Sequence, residues 1–305
     1  MLDAHQLNIF LVAAETLNFT QAAERLEMSQ PSISQHIQAL ESHFGEELFI
    51  RQGRSLTLSD AGRVLVPLAQ QFVNQSTLIN ETMSSLKGQI KGRIMVGCNA
   101  PSGRYLLPTF FAHFHERYPE VTIICQTESC GTPLESLRDG SLHFLFSNHD
   151  KVIEPCFQVA ELLQDEIVLI TPPDHPWAKR GRIEAEELLE GKFILPPANS
   201  EAYALVNSAL AANNLSLPQL DSFLTLNSPE AIALSVERGL GLSFSSRVIA
   251  SSISQTAMVP IKGLQITQKL KVIRDRTQLS SAARDSFWEY ISRAGKDIKQ
   301  NVPLS

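Results

Sequence analysis

Residues 19–41 read FTQAAERLEMSQPSISQHIQALE. Thr20 is a candidate N-cap for a short helix that carries Ala22, Ala23 and Leu26 inward. Glu27–Ser29 form the break, and Gln30–Pro31 open a second helix with proline in its first turn, where a missing N–H matters least. That second helix sets Ile33, Ile37, Leu40 and Phe44 on one face, at steps of four, three and four. Its other face shows Ser32, Ser34, Gln35, His36 and Gln38. Short hydroxyls and amides near a helix N-terminus can donate to and accept from base edges and phosphates in a major groove. The same face could also be merely solvated, as in any three-helix unit.

Outward from this core, the next stretch is FGEELFIRQGRSLTLSDAG, residues 44–62. LFIR and SLTLS are two short β-prone runs around a turn, the pattern of a wing. Taken with 19–41, this stretch resembles the DNA-binding domain of the LysR-type transcriptional regulators. Helix, turn, recognition helix and wing follow in the expected order, and the likeness extends over the whole chain. It implies an α/β fold with an all-α winged helix-turn-helix N-terminal domain, a long linker helix, and an effector domain of two α/β subdomains like a type 2 periplasmic binding protein. It implies double-stranded DNA as partner, read by Thr20, Gln30, Pro31, Ser32, Ser34 and Gln35, with Arg51 and Arg54 on the wing. The expected domains are 1–58, 59–92 and 93–305, the last split into 93–164 plus 269–300 and 165–268.

Charge limits how DNA is held. Over residues 1–62, three arginines (Arg25, Arg51, Arg54) stand against eight carboxylates, a net −5 beside −6 for the whole chain. A DNA-binding domain ordinarily wears a broad basic footprint. Here phosphate contact falls to Arg51, Arg54 and helix N-termini. Weak non-specific binding is expected, with affinity depending on paired subunits.

A long helix is predicted from Ser59 as N-cap to about Lys87, with Gly88 and Gly92 beyond its end. Leu65, Phe72, Ile79 and Leu86 recur every seven residues, with Leu68, Gln75 and Thr82 between them. That is either a seam between two helices or one amphipathic helix on its own chain. The family resemblance favours the seam, hence a homodimer or homotetramer. Pro67 is expected to bend the start. From residue 93 the character changes. RIMVGC, VTIIC, HFLFS, EIVLITP, KFILP, SFLTL and LSFSS read as buried strands, and 103–117, 133–139, 201–213, 229–238 and 280–298 as helices. This alternation implies largely parallel α/β structure.

Four strand-to-helix junctions carry short polar residues: CNAPSGR (98–104), ESCGTPLE (128–135), PANSEAY (197–203) and LNSPEA (226–231). At the second, Thr132, Pro133 and Glu135 make a capping box. Such junctions are ordinary caps or, gathered at one cleft, a neutral-to-positive cage for a carboxylate, sulfate or phosphate. The resemblance implies the second, a small anionic effector between the subdomains. It carries the contacts onto Asn99, Pro101, Ser102, Ser129, Thr132, Ser200 and Ser228. HFLFS and LSFSS depart from the family pattern, so Phe146 and Phe244 are expected to narrow the cleft.

Other chemistry finds little footing. The four cysteines, Cys98, Cys125, Cys130 and Cys156, include no CxxC pair. Cys98 and Cys130 fall in two of the junctions, so a thiol-redox switch is the alternative to an effector; buried small residues are the plainer reading. The eight histidines show no HExxH spacing, and no metal or other cofactor is expected. No GxSxG or Walker sequence supports an enzyme. No apolar run nears the roughly 20 residues of a membrane span. MLDAHQLNIFLVAAETLNF carries Asp3 and Glu15 without a basic n-region, so a cytoplasmic location is expected. RNA polymerase is a further expected partner if the protein activates.

Overall fold

The computed structural model describes residues 2–52, 55–98, 101, 103–126, 133–148 and 154–301, with the backbone alone for 52 and 295–301. Three helices open the chain: α1 (Ala4–Thr16), α2 (Phe19–Arg25) and α3 (Gln30–Phe44). The N-cap of α2 is Asn18, whose Oδ1 accepts from the N–H groups of Thr20 at 2.9 Å and Gln21 at 3.2 Å. Thr20, expected as the cap, instead sits in the first turn with its side chain exposed. Asn18 prevails because it holds the extended backbone from which one carboxamide oxygen reaches both donors. Ser29 caps α3, and Gly45, at φ 72°, ends it.

Ile33, Ile37 and Leu40 enter the core with Leu7, Phe10 and Ala13 of α1. Phe44 does not, being 39% exposed. The core beyond Leu40 is filled from the next segment by Leu48 and Phe49. Glu41 fixes that segment: its Oε1 accepts from the N–H groups of Leu48 at 2.9 Å and Phe49 at 3.3 Å. The wing is an antiparallel pair, β1 (Phe49–Gln52) and β2 (Ser55–Leu58), in register from Phe49↔Leu58 to Gln52↔Ser55.

Helix α4 (Asp60–Ser85) is capped by Ser59, whose Oγ accepts from the Gly62 N–H at 2.9 Å. Gly62 lies against the chain leaving α3; a Cβ there would stand 2.2 Å from the carbonyl oxygen of Leu48. The two halves of α4 bury different faces. Leu65 and Ala69 pack into the N-terminal core, whereas Leu78 and Glu81 are buried further on. In that second half Asn74 donates from Nδ2 to the carbonyl of Gly140 at 2.9 Å, and Glu81 Oε1 accepts from the N–H of Arg93 at 3.0 Å. These contacts fasten α4 to the α/β part of the chain.

That part has two lobes. The first contains β3 (Gly92–Cys98), α5 (Gly103–Arg117), β4 (Val121–Gln126), α6 (Pro133–Arg138) and β5 (Phe144–Ser147). A long strand, β6 (Phe157–Thr171), then leads to the second lobe. There follow α7 (Pro176–Arg180), β7 (Lys192–Leu195), α8 (Glu201–Ala211), β8 (Asp221–Thr225), α9 (Pro229–Glu237), β9 (Ser243–Ser246), α10 (Arg247–Ile253) and β10 (Ala257–Val259), with short 3-10 turns at Ala185–Glu190 and Leu217–Gln219. Strand β11 (Ile266–Asp275) returns to the first lobe, where α11 (Ala282–Asn301) closes it.

Strands β4, β3 and β5 are parallel neighbours, and β7 and β8 form a second parallel pair. Strands β6 and β11 instead pair antiparallel from Phe157↔Asp275 to Ile167↔Ile266, with a register shift between Leu270 and Lys271. Parallel order is thus confined to each lobe, because the connecting strands must run out and back side by side. One end of this ribbon packs into the first core, where Leu163, Leu270 and Val272 meet Phe114, Phe146 and Phe287. The other end, through Leu169 and Ile266, enters the second core with Phe193, Trp177 and Phe244. Phe146 and Phe244 therefore do not narrow a cleft. Phe146 is fully buried, and Phe244 stacks on Phe193 at 6.0 Å between ring centroids. Both lie on β strands whose four residues are all buried, so the phenyl groups have cores to enter. Each such burial contributes about 1.5–3 kcal/mol.

Candidate functional site

The N-terminal unit presents the start of α3. Gln30, Pro31 and Gln35 are exposed, and Ser32 and Ser34 half-buried. Gln30 Nε2 donates to Ser34 Oγ at 3.1 Å, which orients both side chains one turn apart. Gln6 Nε2 donates to the carbonyl of His36 at 3.2 Å and ties α1 to this helix. Arg51 sits on the wing with its guanidinium 5.7 Å from the Phe19 ring centroid, above the start of α2. Arg54 lies outside the described residues. Arg25 is occupied by Glu15 at 2.9 Å. The face can thus read a groove through amides and hydroxyls, with Arg51 for a phosphate.

The second candidate region lies between the lobes. Ser200 caps α8, its Oγ accepting from the Tyr203 N–H at 3.2 Å. Ser228 caps α9, accepting from the Ala231 N–H at 3.2 Å while donating to Glu230 Oε2 at 2.8 Å. Pro101 lies half-buried in a turn, its carbonyl accepting from the Arg104 N–H at 3.2 Å. Asn99, Ser102, Ser129, Thr132 and Cys130 lie outside the described residues.

What joins the lobes was not foreseen from the sequence. From α5, Tyr105 donates its phenolic hydroxyl to Glu230 Oε1 on α9 at 2.9 Å, and Arg104 reaches the same oxygen at 3.3 Å. Burial, with Glu230 as hydrogen-bond partner and charge, pushes the Tyr105 phenol up to about 12. Burial also acts to raise the Glu230 carboxyl, but its own N–H, Ser228, Tyr105 and Arg104 together hold it below its ordinary value. Glu230 stays charged and Tyr105 stays a donor at neutral pH. Where the long strands pass between the lobes, Asn148 Nδ2 donates to Gln268 Oε1 and Gln268 Nε2 to Asp165 Oδ2, each at 2.9 Å. Ser246 Oγ also donates to Asp165 Oδ2, at 2.7 Å. The expected neutral-to-positive cage thus holds two carboxylates, Glu230 and Asp165, each accepting hydrogen bonds from both lobes or from the strands between them. Glu230 had one visible sign, an acid in the first turn after Ser228–Pro229. Asp165 had another, a carboxylate inside an apolar strand.

The seven-residue row on α4 divides. Leu65 belongs to the core of its own N-terminal unit, which corrects its place in an intersubunit seam. The N-terminal core covers only the first half of α4, through Ala61, Leu65, Val66, Ala69 and Val73, and the later members of the row lie outside it. Phe72, Ile79 and Leu86 are exposed, at 41%, 63% and 75%, and share an apolar stripe with Val64, Leu68 and Met83. Cys98 is buried in the first core, beside Phe146 of β5 in register. Among the described residues, no helix is long and apolar enough to cross a membrane, and no group of three His, Cys, Asp or Glu could hold a metal ion.

Two family models match this architecture. Residues 4–63 match the bacterial regulatory helix-turn-helix protein, lysR family, and residues 87–296 match the LysR substrate binding domain. A probable RuBisCO transcriptional regulator of Thalassiosira pseudonana is 30% identical over 290 residues, spanning 93% of this chain and 94% of that protein. The crystal structure of CbnR, a LysR family transcriptional regulator, aligns with a TM-score of 0.69 at 20% identity, over 97% of this chain and all of that one. Full-length CbnR complexed with its target DNA aligns at 0.68 and 21% identity, over 96% and 100% of the two chains.

Proposed function

The chain belongs to the LysR family of bacterial transcriptional regulators, and on that premise we propose that a small anionic metabolite, bound between its lobes, controls how it holds DNA. The role is regulatory rather than catalytic. In this reading the start of α3 enters a major groove, with Ser34 and Gln35 on base edges and Arg51 on the backbone. The exposed stripe of α4 pairs two copies through Phe72, Ile79 and Leu86. Paired reading heads supply the affinity that a net −5 domain lacks alone. Two such pairs assemble as a tetramer, and RNA polymerase is the further partner where the protein activates. CbnR, with its target-DNA complex, supports the DNA reading by likeness of fold.

One observation carries the effector reading. Glu230 on the second lobe accepts hydrogen bonds from Ser228 and from Tyr105 on the first. An anion that competed with Glu230 for Tyr105, Arg104 or Ser228 would therefore couple its binding to the angle between the lobes. An effector changes that angle only through different affinities for the two arrangements, and each tenfold difference supplies about 1.4 kcal/mol. Ser200 and Ser228 are its proposed ligands on the second lobe, and Pro101 on the first.

The test has two stages. DNA selected from a random library by the full-length protein should contain two-fold related half-sites. Small carboxylates and phosphates are then screened by thermal shift, and each hit is titrated into wild type, Ser228→Ala and Ser200→Ala. A true effector binds both variants more weakly and changes the footprint on the selected DNA. Selected DNA without paired half-sites would sink the paired-head reading. An effector indifferent to both serines would move its site elsewhere.

A further inference from the structure

The first lobe holds a cavity away from the interlobe region. It lies between α6, β5, the end of β11 and the first turn of α11, with a volume of about 190 Å3. At about 30 Å3 per water in the liquid, that is room for roughly six waters. Inorganic phosphate or a short carboxylate fits there, and a nucleotide does not.

The lining is cationic. Arg274, Arg276 and Arg284 face Asp275 and Asp285. Both carboxylates are already engaged. Asp275 Oδ1 accepts from Thr277 N at 2.8 Å and Oγ1 at 2.7 Å. Asp285 Oδ1 accepts from Ser280 Oγ at 2.8 Å and Arg274 Nη1 at 3.2 Å. His143 stays neutral, because burial and then the Arg284 charge push it down to about 3. Its Nδ1 accepts from the Met95 N–H at 3.1 Å. The start of the 20-residue helix α11 adds the positive end of its dipole.

Arg284 is the least satisfied of the three. Its side chain is 11% exposed, and the nearest Glu81 oxygen is 4.0 Å away. Among the described residues, neither its Nε nor Glu81 Oε2 has a hydrogen-bond partner, although both are buried. Its Nη1 donates to the Leu279 carbonyl at a long 3.4 Å. A buried guanidinium with an unused donor is costly, and an oxyanion beside it would relieve that cost.

We propose that this cavity is a second ligand site, for a small phosphate or carboxylate, whose occupant competes with Glu81 of α4 for Arg284. Linkage makes the competition reciprocal: weakening the hold of Glu81 strengthens the anion, and the anion loosens Glu81. Because Glu81 helps fasten α4 to the first lobe, the occupant acts on the linker helix directly, without passing through the interlobe cleft.

Calorimetric titration of the full-length protein, first with inorganic phosphate and then with succinate, tests this. The two arms distinguish a phosphate ligand from a carboxylate one. Arg276→Ala removes a cavity wall whose Nη2 donates to the Pro155 carbonyl at 3.0 Å and for which no contact with Glu81 is seen among the described residues, and should weaken binding about tenfold, as expected for losing one charge-assisted hydrogen bond. Glu81→Gln keeps an oxygen for the Arg93 N–H and should tighten binding several-fold. Arg276→Lys should restore most of the affinity, which separates lost charge from lost folding. Absence of binding by both anions at tens of millimolar overturns the proposal. So does an affinity that neither Arg276→Ala nor Glu81→Gln alters.

Discussion

Tyr105 and Glu230 stand 125 residues apart in sequence and meet at 2.9 Å, one on each lobe. The contact is a hydrogen bond between a phenol that keeps its proton and a carboxylate that has lost its own. Burial raises the Tyr105 phenol most and the shared bond raises it further, whereas at Glu230 the bond joins the residue's own N–H, Ser228 and Arg104 in outweighing burial.

The Glu230 carboxyl is held below its ordinary 4.5. Its stabilising contribution is therefore fully present above that pH and lost as pH falls through the lower folded value. Urea unfolding of wild type and Glu230→Gln should differ at pH 7 and converge as pH falls through the lowered folded value. A constant difference across that range would mean the carboxylate charge is not what the contact uses. Tyr105→Phe should loosen the lobes similarly at pH 7, seen as a larger radius of gyration in solution scattering.

On the DNA face, Gln35→Ala should cost about 1–3 kcal/mol at particular base pairs and relax preference there. Arg51→Ala should instead weaken binding to all sequences and lower the salt slope by about one. Equal behaviour of the two variants in anisotropy titrations over a salt series would show that the helix face is wrongly assigned.

Leu65 and Ile79 lie in one seven-residue row, yet Leu65 is buried in the N-terminal core and Ile79 is exposed. Ile79→Lys should dissociate subunits while leaving the helical domain folded, because Ile79 is 63% exposed on one chain. Leu65→Ala should lower the melting temperature of the N-terminal unit, by a loss of about 2–5 kcal/mol, with dimerisation little changed. Sedimentation and thermal melts on both variants decide it. Dissociation by Leu65→Ala without loss of folding would reverse the assignment.

Gly62→Ala tests the joint between reading head and linker. A Cβ there would lie 2.2 Å from a backbone oxygen, so α4 or the turn before the wing must shift, at about 1–3 kcal/mol. Circular dichroism should show a less stable N-terminal unit and anisotropy a weaker complex with DNA. Wild-type melting would mean that the approach relaxes without strain.

Local signals carried much of this far. Pro31, Ser59 and Ser228 each mark a helix start by chemistry readable in a few residues. Where two neighbouring residues could do the same work, reading by type was not enough, and Asn18 took the role expected of Thr20. Phe44 fits the apolar period of α3, but only the fold shows that Leu48 and Phe49 fill its place. Strand β11 escaped notice because Lys269, Lys271 and Arg274 interrupt its apolar residues. Those charges make sense only beside β6, where Lys269 pairs with Glu161 and Arg274 with Gln158. Glu230 shows locally only as an acid in the first turn of α9; its contact with Tyr105, like that of Arg284 with Glu81, is a product of chain topology.

The two-faced burial of α4 makes it a lever arm. Its fulcrum is the first lobe, through Asn74 and Glu81, and its load is the reading head, joined at Gly62 and Leu65. From Asn74, the fastening nearer the head, to Gly62 the arm is about 18 Å at 1.5 Å per residue. A tilt of about 10° at the fulcrum swings the head by about 3 Å, close to the 3.4 Å between successive bases. On the proposed DNA reading, lobe movements too small to alter either core would shift the start of α3 by about one base step.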